Sequence, residues 1–314
     1  MKTTYYLIAT LAVTMTFAAN FSFAQAYNKC ASRNVITESA PVMYVDPVSG
    51  ATETRMEERE VSADSYGNAQ GNQYDLAVDG AFDGQTIAVL HLYTGEGFDF
   101  ELPKNALAEK GFSVYRWMNQ PPTAEVLKEG LDKSCQLWII SSSMQMLTKE
   151  HMAVIKEFFD AGKGVYIWGD NQPYYADANY VARELIGVEM TGNTMGNQVV
   201  NLMMGGSKIG VMPNHLITTG LQHVYEGITI ATLSDNEDLQ PLIYGSAGNL
   251  VTAAYEKNGK RLILDGGFTR LFINWDTAGT GRYVKNAAAW LVNVEKFGED
   301  VLSEAILKEE LIEE

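Results

Sequence analysis

The chain of 314 residues is poor in the side chains that most often announce chemistry, with two cysteines and four histidines. Two cysteines, at positions 30 and 135, cannot build a four-ligand zinc site alone. His151 and His223 have no partner at metal-ligand spacing, so no metal is expected. Basic residues are also scarce, with 23 Lys and Arg against 39 Asp and Glu and a net charge of −16. That balance repels nucleic acid and anionic membrane surfaces. No glycine run has the spacing of a phosphate loop or a dinucleotide fingerprint, so no cofactor is expected. Beyond the first residues no apolar stretch is long enough to cross a bilayer.

The beginning of the chain is different. Met1-Lys2 precedes an apolar run from Tyr5 to Phe17, and Ala24-Gln25-Ala26 follows. A short basic start, an apolar segment and an Ala-x-Ala site describe a secretory signal peptide over residues 1–26, hence a periplasmic or extracellular protein. In an oxidising compartment Cys30 and Cys135 could pair, tying the N-terminal extension to the main domain; a buried free Cys135 is the competing reading.

Residues 27–85 read as an extension and linker. Pro41 to Thr54 suggests a small hairpin turning at Pro47–Gly50. After Glu57 to Glu60, polar residues dominate through Asp83, a linker-like composition.

From Thr86 the pattern becomes an alternation of strands and helices. Thr86–Tyr93 and Phe112–Trp117 read as strands, separated by a helix with Pro103 in its first turn, and Ala124–Leu131 reads as the next helix. The centre is residues 137–187. Leu137–Ile140 is a buried strand ending in Ser141, Ser142 and Ser143. Thr148 suits a helix N-cap and Gly162 its left-handed C-cap. Val165–Trp168 is a second buried strand, followed by a turn from Gly169 to Pro173 and a helix from Tyr174 to Ile186. Such units are parallel and right-handed. After Gly192 short strands are expected at Val199–Met204, Ile209–Met212, Ile228–Leu233, Leu239–Tyr244 and Leu250–Tyr255, several of them antiparallel. Arg261–Asp265 is a last apolar strand, and a helix follows around Gly281–Asn293. The fold class is therefore α/β: a flavodoxin-like three-layer sandwich over residues 86–293 with a mainly parallel sheet, some antiparallel strands in its C-terminal half, and an acidic helical tail over 294–314.

In such sheets ligands sit beyond the carboxyl ends of the strands. Those ends are Thr94–Gly97, Ser141–Ser143, Gly169–Asn171 and Asp265–Gly267. The candidate ligand-binding residues are Glu96, Ser141, Ser142, Asp170, Asn171, Tyr174 and Arg270. Asp170 could be a nucleophile or general base, or could cap the helix after it. His215 could meet a ligand or hold a turn. Arg270 with Arg282 could cradle an anion, or Arg270 could pair with Asp276. Tyr93, Tyr174, Tyr175 and Trp275 could form an aromatic platform or belong to the core. The acidic rim favours a neutral or cationic ligand.

Two stretches carry a family resemblance: the strand, turn and helix of Val165–Ile186, and His215-Leu216-Ile217-Thr218-Thr219-Gly220-Leu221. The second resembles the His-Pro-[Ile/Leu]-Thr-x-Gly-Leu segment of non-amidotransferase branches of the class I glutamine amidotransferase-like superfamily, with Leu216 where proline is usual. ThuA-like proteins and the trimerisation domain of some β-galactosidases are examples of these branches. The resemblance covers about Thr86–Asn293 and implies the flavodoxin-like fold. It also implies a Cys nucleophile at the turn after the strand, where this chain has Asp170, and a His-x-Glu pair near the last strand, where it has Leu264-Asp265-Gly266-Gly267. Cysteine amidotransferase chemistry is thereby excluded. Three readings stay open: a non-catalytic module binding a small polar ligand or a protein partner; a hydrolase, with carbohydrate as one candidate substrate, acting through Asp170 with Asp265 or His215; and a structural envelope protein. N-terminal sequencing of the protein from the cell that makes it should give a mature start near Tyr27; an intact Met1 would contradict export by a cleaved signal.

Overall fold

The computed structural model describes residues 26–28, 34, 37–95, 97–203, 206–275 and 278–313. The signal-like segment, Cys30, Glu96 and Asp276 therefore lie outside the described residues.

In chain order the strands are β1 (Thr37–Val45), β2 (Thr52–Glu60), β3 (Thr86–His91), β4 (Ser113–Met118), β5 (Gln136–Ile140), β6 (Gly164–Trp168), β7 (Met190–Met195), β8 (Val199–Asn201), β9 (His223–Tyr225), β10 (Thr229–Leu233), β11 (Leu239–Tyr244), β12 (Leu250–Lys257) and β13 (Lys260–Asp265). The helices are α1 (Glu101–Glu109), α2 (Ala124–Leu131), α3 (Lys149–Asp160), α4 (Ala176–Ile186), α5 (Thr280–Leu291), α6 (Val294–Phe297) and α7 (Glu304–Glu313).

The central sheet has seven strands in the order β4-β3-β5-β6-β13-β12-β11. The pairs from β4 to β13 are parallel, while β12 and β11 continue the sheet antiparallel. The parallel part has the flavodoxin-like order 2-1-3-4-5, with its switch point between β3 and β5. β7 pairs with β10 and β8 with β9 in separate antiparallel ribbons. Residues Ile209–Met212 form no strand; Val211 makes only an isolated bridge to Ile243. β7 has no counterpart in the sequence reading, because Met190–Met195 includes a glycine and an asparagine and lacks a buried run.

Strand alternation distributes the core. Ile87, Val89, Trp138, Ile140, Tyr166 and Trp168 face the layer of α1 and α5. Ala88, Leu90, Leu137, Ile139, Val165 and Ile167 face α2, α3 and α4. Because β3, β5 and β6 are covered on both faces, their sequences are unbroken apolar runs. Thr148 forms a capping box at α3 with His151 in the third position, whose Nδ1 accepts from the Thr148 amide at 3.1 Å. Among the described residues no helix is long and apolar enough to cross a membrane.

The segment after the β1–β2 hairpin, expected as a linker, is packed. Leu76, Ala77, Ala81 and Phe82 are buried in the same core as α5. The Leu76 amide donates to Asn286 Oδ1 at 2.6 Å. Asn286 Nδ2 in turn donates to the carbonyls of Ile217 and Thr219. Asp75 is the ionic centre, 2.9 Å from the fully buried Lys110 ammonium, 2.7 Å from Lys285 and 2.8 Å from Arg282. A polar composition misleads here because these polar side chains are paired rather than hydrated. Arg282 is consumed in this network and is not an anion cradle.

Removing one partner of a buried ion pair strands the other charge at a cost of about 3–5 kcal/mol. Asp75→Ala should therefore destabilise the fold by about that amount in urea unfolding. A loss below about 0.5 kcal/mol, the usual figure for an exposed position, would mean that the segment is a linker after all.

Candidate functional site

The chain leaves β6 through Gly169, which has no space for a side chain: a Cβ there would collide with the Met190 sulfur and press on Tyr175 at 3.1 Å. Asp170 follows, 7 % exposed. Its amide donates to the Tyr174 carbonyl at 3.2 Å, and the Tyr174 amide donates back to the Asn171 carbonyl at 2.8 Å. The Gln172–Pro173 bond in this turn is cis.

The helix after the turn begins later than the sequence suggests. The N-cap of α4 is Tyr175, so Asp170 does not cap it. Its first amides go instead to the end of β5: Ala176 donates to the Ser142 carbonyl at 3.2 Å and Ala178 to Ser141 Oγ at 3.1 Å. Asp170 also lacks the positive φ of a strained nucleophile turn. The positive end of α4 is thus aimed at Ser141 and Ser142.

Above this turn lies a cleft of about 110 Å³ lined by Tyr93, Ser141, Asp170, Asn171 and Tyr174 together with Ile228, Thr229, Phe268, Thr269 and Phe272. Tyr93 meets Tyr174 and Phe268 edge-on, with ring centroids 5.2 and 5.5 Å apart. Phe268 and Phe272 pack at 5.4 Å. Asn171 Oδ1 accepts from Thr229 Oγ1 at 2.9 Å, and Thr269 Oγ1 accepts from the Ile228 amide at 2.8 Å. The structure therefore brings Ser141, Asp170, Asn171 and Tyr174 together on one wall. Ser142 contributes its carbonyl to α4, and Glu96 lies outside the described residues.

Asp265 and Arg270 are placed behind this wall, and both are fully buried. Arg270 Nη1 is 3.4 Å from Asp265 Oδ2, and Arg270 Nη2 donates to the Glu226 carbonyl at 3.0 Å. The Gly267 amide and the Tyr283 hydroxyl each donate to Asp265 at 2.9 Å, and Tyr166 reaches it at 3.3 Å. Burial pushes the Asp265 carboxyl up, against the pull of Arg270. The same burial lifts both tyrosine hydroxyls well above their usual range. Arg270 is fully buried beside Asp265 and is not among the residues lining the cleft. Its expected partner Asp276 lies outside the described residues.

His215 is elsewhere. Its Nδ1 accepts from the Ile217 amide at 3.1 Å, capping a short 3-10 turn, and its ring lies edge-on to Trp290 at 5.5 Å. Trp290 is at the end of α5 that receives Arg261 from the amino end of β13, so His215 and Asp265 occupy opposite rims. Cys135 is also on the amino rim, immediately before β5. It is a free, buried thiol that burial pushes up to about 12, which leaves no thiolate to attack. Its proposed disulfide partner, Cys30, lies outside the described residues. Trp275 is buried in the core rather than on a platform. Among the described residues no group of His, Cys, Asp and Glu could hold a metal ion.

The sequence reading missed Ile228, Thr229 and Phe272, because β10 and the turn after β13 reach the cleft only through tertiary packing. Phe268 and Thr269 lay inside the stretch singled out around Arg270, but not as lining residues.

No family model matches the chain, and no curated protein matches it. Solved structures similar to it include a GMP synthase component from Thermoplasma acidophilum, at 10 % identity, TM-score 0.44, covering 68 % of this chain and 96 % of that one. A ThuA-like protein from Parabacteroides merdae has 12 % identity and TM-score 0.44 over 67 % of this chain and 90 % of its own. The carbohydrate deacetylase Agd3 has 12 % identity and TM-score 0.39, covering 66 % of this chain and 32 % of that one. At these values the chemistry of the site rests on its own residues.

His215 and His91, the latter enclosed by Phe98 and Arg116, are both pushed down to about 4, mainly by burial. In the unfolded chain they protonate near 6.5. Between those values the unfolded state holds more protons, so stability falls as pH drops from 6.5 toward 4. Each histidine contributes up to about 1.4 kcal/mol per pH unit. Urea unfolding across this window should show a shallower pH slope for His215→Gln; an unchanged slope would mean that His215 titrates alike in both states.

Proposed function

We propose that this is an exported, non-catalytic ligand-binding module with its site at the carboxyl rim of a flavodoxin-like sandwich. The observation that carries this reading is the make-up of the cleft: one carboxylate within an aromatic wall, and no His, Cys, Lys, Arg or second carboxylate among the described lining residues. Nucleophilic hydrolysis needs a base within hydrogen-bond reach of the nucleophile, and glycoside hydrolysis a second carboxyl across the scissile bond. Here Asp265 is locked behind the wall on Arg270, and His215 and Cys135 sit on the other rim. Ser141 Oγ, beside Asp170, accepts the Ala178 amide and donates its own proton to the Ser142 carbonyl rather than to a base.

The cleft suits a small neutral or cationic ligand. Tyr93 and Tyr174 offer ring edges and hydroxyls, and Asp170 supplies an acceptor. None of the described lining residues is Lys or Arg, which disfavours an anion. A sugar edge or an amine-bearing group matches these contacts.

A thermal-shift panel of monosaccharides, disaccharides and small amines on the purified protein tests this. A ligand at a hundred times its Kd should stabilise the fold by about 2.7 kcal/mol. Asp170→Asn and Tyr174→Ala should remove the shift while leaving the unliganded Tm within a few degrees. A broad hydrolase screen belongs beside it: turnover that disappears in Asp170→Asn while Tm holds would replace the binding reading with an enzymatic one.

A further inference from the structure

The hairpin β1–β2 stands outside the sandwich as a two-stranded sheet of its own, and every residue of β2 is exposed. An isolated hairpin is marginal in water, and its open edges are templates for another strand. The two edges are not equivalent. Pro41 lies opposite Met56 in an unbroken antiparallel register. Proline has no N–H to give to the ladder, so this is one of the pairs whose main-chain groups turn away from each other. Met56 therefore directs its own N–H and C=O outward. By the two-residue period so do Thr52, Thr54, Glu58 and Glu60. The free edge of β1 is blunted at its middle by Pro41. The free edge of β2 is complete.

The charges on β2 complement themselves. Glu53, Arg55, Glu57 and Arg59 alternate in sign along one face. When an identical strand is laid antiparallel about a two-fold axis at Met56, Glu53 falls opposite Arg59 of the second copy and Arg55 falls opposite its Glu57. Symmetry repeats both pairs. An axis at Arg55 or Glu57 would instead set like charges face to face, which is unfavourable. The guanidinium groups are already held along the strand, Arg55 over the Tyr44 ring at 3.6 Å and Arg59 on Glu38 at 2.6 Å. They remain 49 % and 64 % exposed and so can accept a second carboxylate. On the opposite face Met56, Met43 and Val45 are 63 %, 74 % and 59 % exposed. Pairing would bring the two Met56 side chains together and merge these residues into one apolar strip.

We propose that β2 pairs with β2 of a second copy of this chain, joining two hairpins into a four-stranded antiparallel sheet and the protein into a two-fold dimer. The high net negative charge opposes indiscriminate self-association, while the alternating charges of β2 favour the Met56 register, which forms four Glu–Arg pairs against two for an axis at Thr54.

Sedimentation equilibrium of the purified protein at micromolar concentration, with near-ultraviolet circular dichroism to confirm folding, tests this. The wild type should sediment at twice the chain mass. Arg55→Glu, which sets Glu against Glu57 at both symmetric positions, should raise the dissociation constant about tenfold or more. The exchange Arg55→Glu with Glu57→Arg rebuilds the pair in reverse and should return it to within about threefold of wild type. Met56→Pro removes an outward donor without touching the β1–β2 ladder and should leave a folded monomer. A monomeric wild type, a dimer indifferent to Arg55→Glu and Met56→Pro, or a charge exchange that fails to rescue a folded protein would each overturn the proposal.

Discussion

The carboxyl rim depends on the ion pair between Asp265 and Arg270, two charges that are both wholly buried. Such a pair is costly to desolvate, and here the carboxylate is better satisfied than the guanidinium, whose Nε and Nη1 have no hydrogen-bond partner among the described residues. Here Asp265 collects the Gly267 amide and two tyrosine hydroxyls from β6 and α5, while Arg270 reaches the Glu226 carbonyl. Glycine at 267 is required because a side chain would collide with the Arg270 guanidinium and the Glu226 carbonyl. Glu226 extends the same arrangement, accepting from the Gln198 and Ser246 amides at 3.1 and 2.6 Å. The last parallel strand, the covering helix and the loops bearing β8 to β10 are thereby fixed relative to one another. That geometry sets Phe268, Thr269 and Phe272 as the far wall of the cleft.

A second constraint is the way α4 is anchored. The positive end of a helix is a ready anion site, yet Ser141 Oγ and the Ser142 carbonyl occupy its first amides. The turn that presents Asp170 is held instead by its own backbone bonds and by Asn171 on Thr229. Among the described residues, the polarity of the cleft is therefore that of hydroxyls, amides and the Asp170 carboxylate, not of a helix dipole. Further from the sandwich, the β1–β2 hairpin carries polar and apolar surface that the fold itself leaves uncovered, which is where contacts with another molecule are most economically made.

Much of the architecture was legible in the residues themselves. Two-faced burial makes β3, β5 and β6 continuous apolar runs, and the residues around them mark where α3 starts and stops, so the parallel units could be read locally. The β1–β2 hairpin was legible from its turn. The position of Asp170, Asn171 and Ser141 at strand ends followed from the same order, because the rim of a parallel sheet is determined by strand direction. What only the tertiary structure decided were the partners of charged and polar side chains. Asp75 in an apparently solvated segment is the centre of a buried network, Arg270 turns inward to Asp265, and His215 is carried to the opposite rim. β7 and the Thr229 wall were likewise out of reach of local pattern. The physical reason is range: hydrophobic period is set by neighbours a few residues away, whereas a buried charge finds its partner across more than a hundred residues of chain, as Asp75 does with Lys285.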